Sequence, residues 1–244
     1  MRNLTLPEIQ ARFDRHAKLH RFEVDKLFEK VKHKPFNEMQ YRYLEIGIRH
    51  QFIYDIETSD FDPEQNFIIC YCGILRDIVT EEIEHVQDSI TKSDIKKAVS
   101  QSTFDFDKRL LTTLSHNMKQ AHHVVGHYST KFDNPYFRSR CLLTNQQDLI
   151  PGYGYQFYGD TWRMMKTTMK AKRNTLKNFI RQTTGNDEKT FVDLKYWYIT
   201  HFKDHKLWKK SMDYIIDHCV KDVRMTYEGL KRAELFNNIG RAKA

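Results

Sequence analysis

From residue 49 onward the chain alternates short apolar runs with polar breaks. Phe52-Ile53-Tyr54 opens an apolar strand that closes on Asp55-Ile56-Glu57-Thr58, a turn rich in Ser, Asp and Pro covers Ser59 to Glu64, and Phe67 to Leu75 reads as a second strand. Ile78 and Val79 mark the place of a third. A helical stretch follows over Ser100 to Gln120, with Phe104, Leu110, Leu111 and Leu114 on one side. It leads to a short strand at His123-Val124-Val125-Gly126, and Asp133-Asn134-Pro135 then reads as a helix start, with Asp133 near the cap and Pro135 in the first turn. Tyr153 to Tyr158 reads as a fifth strand, and the chain is helical from Asp160 to its end, with breaks near Gly185 and Asp204. Residues 1–48 differ in texture: Leu6-Pro7-Glu8 resembles a helix start, and Ile9, Phe13, Leu19, Phe22 and Val31 recur at roughly helical spacing.

Strands gathered early, a crossover helix before the fourth and helices behind it predict an α/β domain over 49–244. Its mixed five-stranded sheet has helices on both faces and carries a small helical N-terminal extension over 1–48. Functional crevices in such sheets lie at strand ends, where Asp55 and Glu57 fall.

Composition narrows the class without naming it. The chain has 244 residues, a net charge of +8 and 30% charged against 40% apolar residues, which describes an ordinary globule and excludes wholesale disorder. Its longest nearly apolar run, Phe67 to Leu75, is far shorter than the ~18 residues a membrane helix needs. Charges run through the first thirty residues, so neither a membrane partner nor a secretory signal is expected. Cysteines at 70, 72, 141 and 219 match neither a zinc-knuckle spacing nor a dense disulfide framework; the expectation is buried thiols in a reducing, cytoplasmic setting. The positive excess is compatible with a polyanionic partner but decides nothing alone.

The chemistry concentrates in a few acids. In a strand, residues i and i+2 share a face, so Asp55 and Glu57 project together while Ile56 faces the core. Two carboxylates at one spot repel unless cations intervene, and hard oxygen ligands favour Mg²⁺ or Mn²⁺. Asp133 stands at a helix start after the Gly126-His127 strand end, and His218 and Asp222 share a helical face at i, i+4.

The run Phe52-Ile53-Tyr54-Asp55-Ile56-Glu57-Thr58, then Gly126-His127 with Phe132-Asp133-Asn134-Pro135, then His218-x-x-x-Asp222-Val223, resembles the three exonuclease motifs of the DEDD superfamily. These 3′-5′ exonucleases have a ribonuclease-H-like fold and include the proofreading domains of DNA polymerases. Asp160-Thr161-Trp162 is similar to a strand-to-helix junction in the ribonuclease-H-like domains related to family B polymerase exonucleases. The resemblance covers about residues 49–233. It implies that Asp55, Glu57, Asp133 and Asp222 hold two divalent ions, Mg²⁺ or Mn²⁺, and that His218 is the general base or orients water. One departure stands out: His218 precedes Asp222 by four residues, the spacing of the superfamily's tyrosine branch, whereas the histidine branch uses five. The activity implied is 3′-5′ hydrolysis of nucleic acid, DNA ahead of RNA, on single strands or frayed ends, with a replication or repair protein as partner. Alternatives are RNA trimming or internal cleavage at the same site, and an inactive nucleic-acid-binding module.

From Thr161 to Gln182 there are seven bases and no acid. Arg163, Lys166, Lys170, Arg173 and Lys177 follow 3-4-3-4 spacing, so one continuous helix would align them as a phosphate-binding stripe. A break near Asn174 would spoil the alignment. Lys131, Arg138 and Arg140 could extend the track, and Phe61, just past the first acidic pair, is placed to wedge against a terminal base. The dense aromatics at Tyr153, Tyr155, Phe157 and Tyr158 are read as packing ahead of stacking on bases, and the adjacent His122 and His123 are assigned no ligand role.

Overall fold

The computed structural model describes residues 48–152, 155–186, 192–198 and 203–236. The helical extension expected over 1–48 lies outside the described residues, except for Ile48, which is buried. Strands β1 (His50–Thr58), β2 (Ile68–Asp77) and β3 (Ile83–Ser89) form an antiparallel meander. Beside it, β4 (His123–Gly126) runs parallel to β1, and β5 (Phe157–Asp160) runs parallel to β4. The resulting sheet is mixed and five-stranded, ordered β3-β2-β1-β4-β5. Among the described residues six α-helices accompany it: α1 (Lys92–Ser100), α2 (Lys108–Lys119), α3 (Asp133–Leu143), α4 (Thr161–Thr168), α5 (Leu176–Thr184) and α6 (His205–Phe236). Short 3₁₀ turns occupy Gln147–Leu149 and Leu194–Trp197.

Alternation along β1 sorts the layers. Phe52, Tyr54 and Ile56 point to one face, where Tyr54 donates its hydroxyl hydrogen to Asn134 Oδ1 of α3 at 2.8 Å, and Tyr71 of β2 accepts from Asn117 of α2 at 2.9 Å. Ile53 points to the other face and packs with Val125 and with Leu230 of α6. α4 and α5 lean on the far half of α6 through Met165, Phe179, Met225 and Ala233. Helices thus cover both faces, as the alternation of strands and helices predicts.

Four expectations need correcting. Ile78 and Val79 are not a third strand: Asp77 Oδ1 accepts from the backbone N–H groups of Val79 and Thr80 and curls the chain into a turn. The true β3 begins at Ile83. Its sequence, IEHVQDS, is polar and mostly solvent-facing, so it carries no apolar run. The expected helix over 100–120 starts at Lys108; α1 lies before it, closed at its start by a capping box between Thr91 and Asp94. The fifth strand begins at Phe157 instead of Tyr153; residues 153–154 lie outside the described residues.

The fourth correction concerns the basic segment. α4 ends at Thr168 and α5 begins at Leu176, so Arg163 to Lys177 is not one helix. Thr167 and Thr168 return their hydroxyls to carbonyls in the preceding turn of α4, and Thr175 caps α5 by accepting from Asn178 N–H. The expected breaks at Gly185 and Asp204 are present. Gly185 adopts φ 77° after α5, and Asp204 accepts from the N–H groups of Lys206 and Leu207 at the start of α6.

Candidate metal centre and adjoining cleft

Three separate segments deliver acids to one end of β1. Asp55 and Glu57 leave the last turns of the strand on one face, while Ile56 between them is buried in the core. Asp133 is the first residue of α3 and does not cap its own helix: Oδ1 accepts the backbone N–H of Ile56 at 3.1 Å, which ties α3 to the strand between the two acids. α6 crosses the same region and presents His218 and Asp222 one turn apart. His218 Nε2 lies 3.7 Å from both Glu57 Oε1 and Asp222 Oδ2.

The loop that carries Asp133 is fixed by Asp160, the last residue of β5. Its Oδ1 accepts from the N–H groups of Tyr128 and Trp162, both at 2.9 Å; its Oδ2 accepts from Thr130 N–H at 3.1 Å and Thr130 Oγ1 at 2.6 Å. One carboxylate therefore caps α4 and anchors the β4–α3 loop. Gly126 precedes that loop because a Cβ there would sit 2.5 Å from the Cβ of Ser129 and 3.0 Å from the Tyr54 carbonyl oxygen. His127 completes the tie to the basic segment. Its Nε2 meets the Asn174 carbonyl at 3.1 Å and must donate there, which leaves Nδ1 to accept from Thr161 Oγ1 at 2.9 Å. Burial pushes this imidazole down and keeps it neutral.

The electrostatics follow from crowding. Burial, then repulsion from Asp133, Glu57 and Asp222, holds the Asp55 carboxyl well above the usual carboxylate range. Glu57 is raised in the same way by burial and by Asp222 and Asp133, opposed by a hydrogen bond from Trp197. Burial raises Asp133 and Asp222 each to about 7. His218 is lowered, first by burial and then by Lys221, with Asp217 opposing. A cluster in which acids suppress one another's ionisation is short of positive charge. Asp222 Oδ1 is buried and has no hydrogen-bond partner, and ligand atoms of Asp55, Glu57 and Cys219 lie within 4.8 Å of one another. These residues could hold a metal ion, and their oxygens suit a hard divalent cation.

Three cysteines adjoin the acids. Cys219 donates its thiol hydrogen to the Asp55 carbonyl at 3.5 Å and Cys72 donates to the Ile216 carbonyl at 3.9 Å; the neighbouring thiols of Cys219 and Cys70 bring Cys72 down to about 5, while burial raises Cys70 and Cys219. All four cysteines are free and buried, as the sequence leads one to expect.

A cleft of ≈ 340 Å³ opens from Glu57 and His218 between the turn after β1 and the 3₁₀ turn at Leu194–Trp197. Phe61 is 82% exposed at its rim and meets Phe132 edge-on at 5.8 Å; Trp197 and Tyr198 form the opposite side. Trp197 also stands edge-on to His218 at 5.9 Å. The sequence reading missed this wall, since a four-residue 3₁₀ turn has no hydrophobic period to detect.

The predicted basic residues separate. Arg163 and Lys166 are exposed on α4, with Lys166 Nζ 5.2 Å from the Trp162 ring; Lys170 and Arg173 lie exposed in the connection, and Lys177 sits in the first turn of α5. Lys131 and Arg138 are exposed near Asp133, Arg138 over the Tyr158 ring. Arg140 cannot join any phosphate track. It is 2% exposed, forks onto Asp107 at 2.9 and 2.8 Å, and spends its other hydrogens on the carbonyls of Pro63 and Phe104.

No protein-family model matches the chain, and no curated protein matches it. Among solved structures it is similar to the family B DNA polymerase from the hyperthermophilic archaeon Pyrobaculum calidifontis, at a TM-score of 0.56 and 14% identity, over 77% of this chain and 24% of that one. The likeness bears on architecture: the described domain is a ribonuclease-H-like α/β fold, and the chain spans about a quarter of the polymerase's length. No helix among the described residues is long and apolar enough to cross a membrane.

Proposed function

We propose that this chain is a metal-dependent nuclease that removes nucleotides from the 3′ ends of single-stranded or frayed DNA. The observation that carries the reading is the convergence of Asp55, Glu57, Asp133 and Asp222 at one strand end. Burial, and after it the charges of the neighbouring acids, raises the pKa values of Asp55 and Glu57, and a buried Asp222 oxygen is left without a partner. The four acids would hold two divalent cations, Mg²⁺ or Mn²⁺. Such ions, when bound, supply a water of lowered pKa and stabilise the departing 3′ oxygen.

The chain's own residues do the remainder. Asp133, pinned to Ile56 N–H, and Asp55, rising from the same strand, fix the spacing of the oxygens. His218, kept neutral by its surroundings, takes up a proton at Nε2 beside Glu57 and Asp222. The cleft edged by Phe61, Trp197 and Tyr198 offers flat apolar faces to an unpaired base, which favours a single strand over an intact duplex. Lys131, Arg163, Lys166, Lys170, Arg173 and Lys177 attract the backbone as separate patches. The likeness to part of a DNA polymerase supports DNA as substrate and a replication or repair partner.

The test is a 5′-labelled oligonucleotide assay on DNA and RNA, with and without Mg²⁺ or Mn²⁺. Stepwise shortening from the 3′ end, present only with metal and absent in Asp55→Asn, is the expected result. Shortening by a folded Asp55→Asn protein would reject the assignment. Internal fragments would replace it with the endonuclease reading, and metal-dependent shortening confined to RNA with the RNA-trimming one.

A further inference from the structure

The three parallel strands of the sheet end on one edge. β1, β4 and β5 run the same way, with Ile53 beside Val125 and Gly126 beside Asp160. The chain leaving β4 therefore emerges on the side of the sheet where Asp55 and Glu57 stand, and so does the chain leaving β5. Each exit carries an aromatic ring two residues on: Tyr128 after Gly126, and Trp162 after Asp160. The rings meet edge to face, with centroids 5.3 Å apart and planes at 72°. The Asp160 carboxylate fixes both backbones, since its Oδ1 accepts from the N–H groups of Tyr128 and Trp162 at 2.9 Å each. A strand spacing of about 4.8 Å puts the pair one to two strands, roughly 5 to 10 Å, from the acids along the edge.

A turn alone does not call for tyrosine at 128. Its φ of 66° lies in the left-handed region, where Gly or Asn fits with least strain and a bulky side chain is out of place. Nor does the ring fill the core, being 44% exposed. In an edge-to-face pair the indole covers at most one face of the phenol, which leaves the other to solvent. The surroundings are cationic. Lys131 closes the same turn, its N–H donating to the Tyr128 carbonyl at 3.0 Å; Lys166 Nζ stands 5.2 Å from the Trp162 ring, and Arg163 is exposed next to the indole in sequence. No acid occurs from Thr161 to Gln182, and the carboxylate at the junction, Asp160, is buried and engaged by Tyr128, Thr130 and Trp162.

An aromatic face bordered by cations suits a nucleic-acid strand with unpaired bases, which stack on the ring while the phosphates meet Lys and Arg. A duplex keeps its base faces within its own stack and would leave the tyrosine unused. We propose that Tyr128 is a second base-stacking contact for a single strand, held in place by Trp162 and flanked by phosphate contacts from Lys131, Arg163 and Lys166. It engages a nucleotide lying off the acids toward β5, distinct from the base taken into the cleft edged by Phe61 and Trp197. Trp162 acts through Tyr128 and is a positioning residue. The inference rests on the nucleic-acid part of the reading above and deepens it by naming where the strand is held away from its reacting end.

The experiment measures binding of labelled oligothymidylate, and of an abasic strand with the same number of phosphates, to the full chain in EDTA by fluorescence anisotropy across a salt series. Tyr128→Gly should bind oligothymidylate about five- to a hundredfold more weakly and the abasic strand as wild type does, with salt slopes unchanged. Trp162→Leu should show the same selective loss at smaller size, whereas Lys166→Gln should weaken both strands alike and lower the salt slope by about one phosphate. Because Gly suits the left-handed turn, Tyr128→Gly should melt no more than about 3 °C below wild type. The stacking role is overturned if wild type binds neither strand, if Tyr128→Gly binds oligothymidylate as wild type does, or if its loss is equal on the abasic strand. A melting temperature far below wild type would make the ring a packing element and overturn it too. Selective loss in Tyr128→Gly without metal-dependent shortening by wild type upholds the contact and fails the nuclease reading; shortening with Tyr128→Gly binding unchanged does the reverse.

Discussion

In metal-free protein, Asp222→Asn should stabilise the fold at pH 8. Burial moves this carboxyl from 3.8 to about 7, and its Oδ1 finds no hydrogen bond. The unfolded chain gives up the proton near its ordinary pKa while the native state holds it until about 7. The native state therefore binds more protons across that interval, and stability is lost as pH rises through it. A displacement from 3.8 to about 7 sets a ceiling of about 4 kcal/mol at 1.36 kcal/mol per pKa unit. Asp222 shares its protons with neighbouring acids and is 21% exposed, so the gain expected from a neutral amide is about 1 to 3 kcal/mol. For a chain of this size that raises the melting temperature by about 3 to 10 °C. Below about pH 4 both folded and unfolded carboxyls are largely protonated, and the advantage shrinks to under about 1 kcal/mol. The assay is thermal unfolding by circular dichroism in EDTA at pH 4 and pH 8, repeated at pH 8 with excess Mg²⁺. Added Mg²⁺ should raise the wild-type melting temperature more than that of the variant. An Asn variant equal to or less stable than wild type at pH 8 would refute the reasoning that the acids are short of positive charge.

Other substitutions probe other parts of the molecule. His218→Ala should lower metal-dependent hydrolysis by about 10²- to 10⁴-fold, the usual loss for a general base, with the fold intact; an unchanged rate would remove His218 from the reaction. Lys170→Glu combined with Arg173→Glu should weaken binding of a labelled single strand and flatten its salt dependence by about two phosphate contacts, and equal slopes would return both residues to plain surface. Arg140→Ala leaves the buried Asp107 with, among the described residues, only the Ile68 N–H donating to it, so a loss of about 3 to 5 kcal/mol in denaturant unfolding is expected. A loss below about 1 kcal/mol would place that pair among those of surface strength.

What the sequence conveys about this molecule depends on whether the signal is local. The D-x-E pair at Asp55 and Glu57 was legible because strand periodicity alone puts both on one face. The Gly185 and Asp204 breaks were legible because one residue carries the chemistry of each. β3 escaped because an edge strand facing solvent needs no apolar alternation, and the apolar pair Ile78-Val79 was mistaken for it although Asp77 turns the chain there. The basic residues from Arg163 to Lys177 kept a helical rhythm across a segment that the Thr175 cap and the His127 contact to Asn174 divide. The meeting of Cys219 with Asp55 and Glu57 required the path of α6, which no spacing along the chain encodes. Arg140 looked like another surface base because its buried partner, Asp107, lies thirty-three residues away.

The most direct test of the central claim is a crystal of the full chain grown with Mn²⁺ and measured for anomalous scattering. The account predicts manganese peaks bonded at about 2.2 Å to carboxylate oxygens of Asp55 and Asp222, with Glu57 or Asp133 completing the set. Carboxylates clustered as described but with no peak among them would contradict it.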